Sequence, residues 1–166
     1  EKCDEFTVCD EYKCNSLGQA CNLINADFPG NQTCVWSDKN DVIPPVIKPL
    51  AIAPLTQNSF VYTPAGTGTR GYEFKEKVPV YTTLTLGIQT NEKTMCRISK
   101  QDIEFDAMQT AFSNGLVKTD HRVEVPSFRG TSEQDVFTSG GGDYTFYVRC
   151  RDVNGNKNRN SYFVKF

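Results

Sequence analysis

Residues 143–152 read DYTFYVRCRD. Tyr144, Phe146, Val148 and Cys150 fall on one side of an extended chain, and Thr145, Tyr147, Arg149 and Arg151 on the other. A two-residue period of this kind marks a half-buried antiparallel strand. Downstream, DVNGNKNRN (152–160) carries Asn154-Gly155, a strong hairpin turn. SYFVKF (161–166) then opposes Tyr162, Val164 and Phe166 to Phe163 and Lys165. Upstream the alternation recurs with Leu84, Leu86 and Ile88 in TTLTLGIQT (82–90), Cys96 and Ile98 in KTMCRISK (93–100), and Val123 and Val125 in HRVEV (121–125). QDIEFDAMQTAF (101–112) breaks the pattern, with Ile103, Met108 and Phe112 at helical or turn spacing, and reads as a short helical crossover. About seven short strands separated by turns predict a mainly β domain, an antiparallel β-sandwich.

The N-terminal part is different in kind. Five of seven cysteines, Cys3, Cys9, Cys14, Cys21 and Cys34, lie in the first 34 residues. Residues 1–41 hold a single tryptophan and few large apolar groups, so burial alone cannot order them and disulfides are expected to staple the segment. CNSLGQACNLIN (14–25) could form a short helix with Leu17, Ala20, Cys21 and Ile24 on one side. Five is odd, so the pairing within the head is open and one cysteine is left over. Cysteine density of this order points to an oxidising, extracellular or cell-surface setting. The domain division expected is a Cys-rich head, 1–41, and a β body, 42–166.

Pro44, Pro45, Pro49 and Pro54 punctuate the lead-in at 42–55, which reads as a stiff linker or an edge strand interrupted by kinks. The Gly/Thr-rich stretch 56–72 reads as an exposed loop. Net charge is −2, which gives no reason to expect nucleic acid or an anionic membrane as a partner. The charge is uneven: residues 1–41 hold eight acidic and three basic side chains, a balance of −5, and the remainder is +3. No run approaches the roughly 20 apolar residues that span a bilayer, and the sequence shows no signal peptide. Its end inside an apparent strand suggests a piece of a longer protein.

Cys96 and Cys150 fall on the third and sixth strands counted, neighbours in one sheet of a fibronectin-III or immunoglobulin-like sandwich, and are expected to pair. TMCRIS (94–99), FDAMQTAF (105–112) and YTFYVRCRDVNGN (144–156) together resemble the fibronectin-III/immunoglobulin-like repeats of large secreted surface proteins of archaea and uncultivated bacteria. YKCNSLGQACNLIN (12–25), CVW (34–36) and DVIPP (41–45) resemble the Cys-rich segments that precede such repeats. The likeness spans about two thirds of the chain. It implies a structural or adhesive module and transfers no catalytic residue. The long stretch at 56–72 departs from the compact pattern.

The sequence carries no recognisable catalytic constellation. His121 is the only histidine, and the head contains no CxxC, so neither a zinc site nor a haem attachment is expected. Gly140, Gly141 and Gly142 precede a strand rather than a helix and read as a turn, not a phosphate loop. Asp152, Asn154, Asn156 and Asn158 alternate in a way faintly like a calcium loop, but no glutamate follows at the right distance and turn chemistry accounts for them equally well. Asn31-Gln32-Thr33 is a glycosylation acceptor sequence. Trp36, Tyr147 and Phe163 are the candidate exposed aromatics for binding. The expectation is therefore a non-enzymatic extracellular structural or adhesive module without cofactors. Its partners would be copies of itself, neighbouring domains of a surface protein, or glycans. The alternative is a carbohydrate- or protein-binding module.

Overall fold

The structure, a computed structural model, describes residues 3, 9–50, 64–68, 70–79, 84–125 and 143–166. The chain is mainly β. In the head, α1 (Glu11–Ser16) begins at Asp10, whose side chain accepts from Lys13 N at 2.7 Å and so caps the first turn. β1 (Cys21–Ile24) and β2 (Thr33–Trp36) form an antiparallel hairpin. The helix expected over 14–25 is thus half helix and half strand. Gly18, at φ +128°, breaks the chain out of the helix, and Cys21–Ile24 gain strand partners nine to fifteen residues away that helical periodicity does not register.

The body is one continuous eight-stranded sheet. β3 (Ile47–Pro49), β6 (Leu84–Ser99), β9 (Thr145–Asp152), β10 (Tyr162–Lys165), β5 (Gly71–Phe74) and β4 (Pro64–Gly68) follow one another in that order. β7 (Thr110–Ala111) and β8 (Lys118–Val125) also pair with β6. Most pairings are antiparallel, but β5 and β10 run parallel, a departure from the expected all-antiparallel arrangement. The sheet curves far enough that Tyr72 of β5 donates its hydroxyl to Gly87 O of β6 at 3.2 Å, which brings the architecture close to a barrel.

The two strands expected at 82–90 and 93–100 are a single 16-residue strand. Asn91 and Glu92 separate the two stretches in sequence, yet the alternation never changes phase: Leu84, Leu86, Ile88, Thr90, Thr94, Cys96 and Ile98 are all buried. β3 and β8 flank the first half of β6, while β9 and β7 flank the second. The core inside the curved sheet includes Tyr72, Leu86, Ile88, Phe112, Val148 and Val164, all fully buried.

The expected crossover is not an α-helix but two 3-10 turns, Phe105–Ala107 and Phe112–Gly115, on either side of β7. Ser113 and Asn114 both hold positive φ, which an α-helix cannot accommodate. Phe112 joins the main core, Met108 is buried, and Phe105 is buried beneath Arg97, Arg151 and Lys157 on the outer side of β6 and β9, while Ile103 is only half-buried. In the stretch read as a loop, 56–72, β4 and β5 form a hairpin. Gly71 makes this feasible: β10 lies so close that a Cβ there would meet the Phe163 carbonyl oxygen and sit 2.5 Å from Phe163 Cγ. The remainder of that stretch, residues 51–55 and the glycines at 140–142 lie outside the described residues.

Candidate functional site

The covalent skeleton comes first. Cys96 and Cys150 face each other across the antiparallel β6/β9 pair and are joined, with Cα atoms 4.1 Å apart. This is a non-hydrogen-bonded pair, in which side chains approach most closely. Accordingly the Cys150 backbone turns to Asn158 instead, its N donating to Asn158 Oδ1 at 2.9 Å and its O accepting from Asn158 N at 3.2 Å. In the head, Cys3 bonds Cys21 and Cys14 bonds Cys34. Cys9 is buried in the same sulfur cluster and lies outside these three bridges. Among the described residues the cysteines form the head's core cluster, with Leu17 and Leu23 packed against it and Ile24 and Val35 buried nearby in the hairpin.

The 152–160 turn, with its alternating Asp and Asn, proves to be the joint between head and body. Asn154 Nδ2 donates to Asp38 O at 3.0 Å, Asn156 Nδ2 to Asp41 O at 2.9 Å, and Asn158 Nδ2 to Pro45 O at 2.6 Å. Ser37 Oγ donates to Asn154 Oδ1. Three carboxamides at alternate positions thus hold the backbone of residues 38–45 along one edge. On the opposite side, Asn25 both accepts from Val117 N at 2.8 Å and donates to Val117 O at 3.1 Å. The proline-rich lead-in is anchored as well, since Val46 N reaches Asn91 Oδ1 at 2.6 Å and β3 pairs along β6.

Beside this joint, Asp41, Glu92 and Asp152 each bring a carboxylate oxygen within 4.8 Å of the others. Burial raises the Glu92 pKa above its ordinary value, and the charges of Asp152 and Asp41 raise it further. Among the described residues, these three converging carboxylates are the group that could hold a divalent cation. Asp152 is already engaged, however. Its Oδ1 accepts from Asn154 N and Asn156 N, both at 2.8 Å, and its Oδ2 from Asn156 Nδ2 at 2.8 Å. Turn chemistry therefore accounts for the alternating pattern. The cluster itself was not foreseen; its one sequence signal is a glutamate at an inward-facing position of a strand.

Arg149, expected on the outer face, is 5 % exposed. It is covered by the crossover and the turn, pairing with Asp102 at 3.0 Å and Glu104 at 3.1 Å and donating to the Asn158 and Arg159 carbonyls. His121 is wholly buried, with Nε2 3.0 Å from Thr94 Oγ1, which in turn lies 3.3 Å from Cys96 Sγ. Its Nδ1 faces the Lys118 backbone without a well-formed hydrogen bond. Burial is the main cause of a pKa lowered to about 4; Lys118 lowers it too, while Asp120 and the Lys118 backbone act the other way. A neutral imidazole walled in by Ile88, Phe112 and Thr94 is a core residue.

The three aromatics part company. Tyr147 and Phe163 are cross-strand partners and half-buried, with the Phe163 ring over Gly71. Trp36 lies on the separate two-stranded sheet and is 52 % exposed. Val42, Ile43 and Val46 in the lead-in are also exposed. A groove of about 780 Å³ runs between head and body, lined by Glu11, Asn15, Asn22, Met95, Arg151 and Asn154 among others. No helix among the described residues is long and apolar enough to cross a membrane. Compared with known proteins, the chain matches no family model and shows no significant similarity to a curated protein or a solved structure.

Proposed function

We propose that this chain is a non-enzymatic, extracellular structural or adhesive module of a cell-surface protein or self-assembling filament. In this reading its body is an immunoglobulin/fibronectin-III-like domain bent toward a barrel, carrying a Cys-rich head. The observation that carries the proposal is the placement of three disulfides: one at the centre of the main sheet and two within the cysteine cluster that forms the head's core among the described residues. A head whose interior is sulfur would not hold together in a reducing compartment, because little other apolar surface is buried there. The Asn154 and Asn156 bonds to the Asp38 and Asp41 carbonyls suit a part under mechanical tension, since they tie head to body, and Asn158 fixes the adjoining lead-in at Pro45.

Self-association would join the acidic head of one copy to the basic body of the next, a head-to-tail contact that propagates instead of closing. Light scattering across a salt series tests this: assemblies should shrink as salt rises, because exposed charge pairs are screened. A strict monomer at every salt and reductant level would remove self-assembly. Peptide mapping without reductant tests the compartment: recovery of Cys96 and Cys150 as separate thiols from secreted protein would overturn it.

Trp36 favours a second reading, a carbohydrate- or protein-binding module, because a half-exposed indole offers an amphipathic platform. Binding on a glycan array that is lost in Trp36→Ala would support it, and an array on which the parent chain binds nothing would exclude its carbohydrate form.

A further inference from the structure

We propose that Asn31 is an N-glycosylation site, a modification that rests on the extracellular reading and adds to it. Asn31-Gln32-Thr33 is the only Asn-X-Ser/Thr sequence with a non-proline middle residue in all 166 residues. It lies where the β1–β2 hairpin loop runs into β2, whose first residue is Thr33, with Asn31 exposed. The loop has two sides with different duties. Asn25 is clamped to Val117, and the Phe28 ring sits against Gly115. Asn31 is free of such duties: its backbone N donates to Phe28 O at 2.9 Å, while its exposed carboxamide makes no hydrogen bond to any described residue.

The local geometry presents that carboxamide for chemistry. Gly30 N donates to Gln32 Oε1 at 2.9 Å, and Thr33 Oγ1 donates to Asn31 O at 3.3 Å, so the acceptor triplet forms a compact turn held by its own side chains. The co-substrate is a lipid-pyrophosphate-linked oligosaccharide presented by a transferase. Asn31 Nδ2 attacks the anomeric carbon, forming a carbon–nitrogen bond. The bond from that carbon to phosphate oxygen breaks, the lipid pyrophosphate departs with the electron pair, and the amide proton passes to a base. A glycan here projects into solvent and leaves the Asn25–Val117 clamp and the Asn154–Asn158 joint untouched.

The test is to pass the full chain through a eukaryotic secretory pathway and measure the intact mass with and without an amidase that removes N-linked glycans. The parent chain should carry a glycan mass that the amidase removes, leaving aspartate at 31. Asn31→Gln and Thr33→Ala should abolish it, and Thr33→Ser should retain it. A secreted chain with Cys96 joined to Cys150 but with Asn31 unmodified overturns the proposal while leaving the extracellular reading intact. A glycan that persists in Asn31→Gln also overturns it. Reduced Cys96 and Cys150 in the secreted chain would instead count against the extracellular reading.

Discussion

Acidification should destabilise this protein through a single buried histidine. His121 has no solvent exposure, and its pKa is lowered from 6.5 to about 4. In the unfolded chain it titrates normally, so below pH 6.5 the unfolded state takes up a proton that the folded state refuses. Stability is therefore undiminished above about pH 6.5, falls as pH drops toward 4, and levels off below that. At about 1.4 kcal/mol for each tenfold change in proton affinity, the full loss is about 3 kcal/mol, with about 2 kcal/mol already gone at pH 5. The loss is large against a total stability of roughly 5–15 kcal/mol. Lys118 and Asp120, the charged neighbours, act in opposite directions and leave burial in command. The assay is urea unfolding of the parent chain and His121→Gln between pH 8 and pH 4.5. The variant will be less stable at pH 8 because it loses the fitted imidazole, but the gap should narrow by about 2 kcal/mol by pH 5. Parallel pH profiles for the two proteins would refute the reasoning, as would a histidine resonance titrating near 6.5 in the folded state.

Replacing Cys96 and Cys150 together by alanine opens a loop of 54 residues' separation and should cost about 4 kcal/mol in urea unfolding, with the fold retained at low temperature. Asn158→Ala removes partners of Cys150 N and Pro45 O and should cost about 2 kcal/mol. It should also speed hydrogen exchange in β3, whereas unchanged exchange there would mean that the turn does not hold the lead-in. Gly71→Ala drives a methyl group into the Phe163 backbone and should destabilise the β5/β10 edge by about 2 kcal/mol or more in thermal unfolding. Asp41→Asn keeps an acceptor for Ile43 N while removing one charge beside Glu92. Stability should rise by up to about 1 kcal/mol at pH 7, and the gain should fade as Glu92 protonates in acid.

Much of the body was legible in the chain because strand periodicity is local. Every inward position of β9, from Phe146 to Cys150, follows from alternation, as do Leu84, Leu86, Ile88, Cys96 and Ile98. The partnership of Cys96 and Cys150 was also accessible, since two inward cysteines on antiparallel neighbours have few other ways to be satisfied. Alternation says which face a residue takes but not what covers that face. Arg149 and Tyr147 were placed outside correctly, yet the crossover and the Asn-rich turn lie over Arg149.

Sequence alone thus determined a mainly β body, a head dependent on sulfur, and the inward face of each strand, because these follow from residue period and from the scarcity of apolar side chains in the first 41 positions. Only the tertiary structure decided that 84–99 is one strand, that β5 lies parallel to β10 on a glycine, and that Asp41, Glu92 and Asp152 converge. Those outcomes depend on which segments meet across the fold. The β5/β10 contact and the carboxylate cluster join residues 51 to 111 positions apart, and no local window along the chain contains both partners.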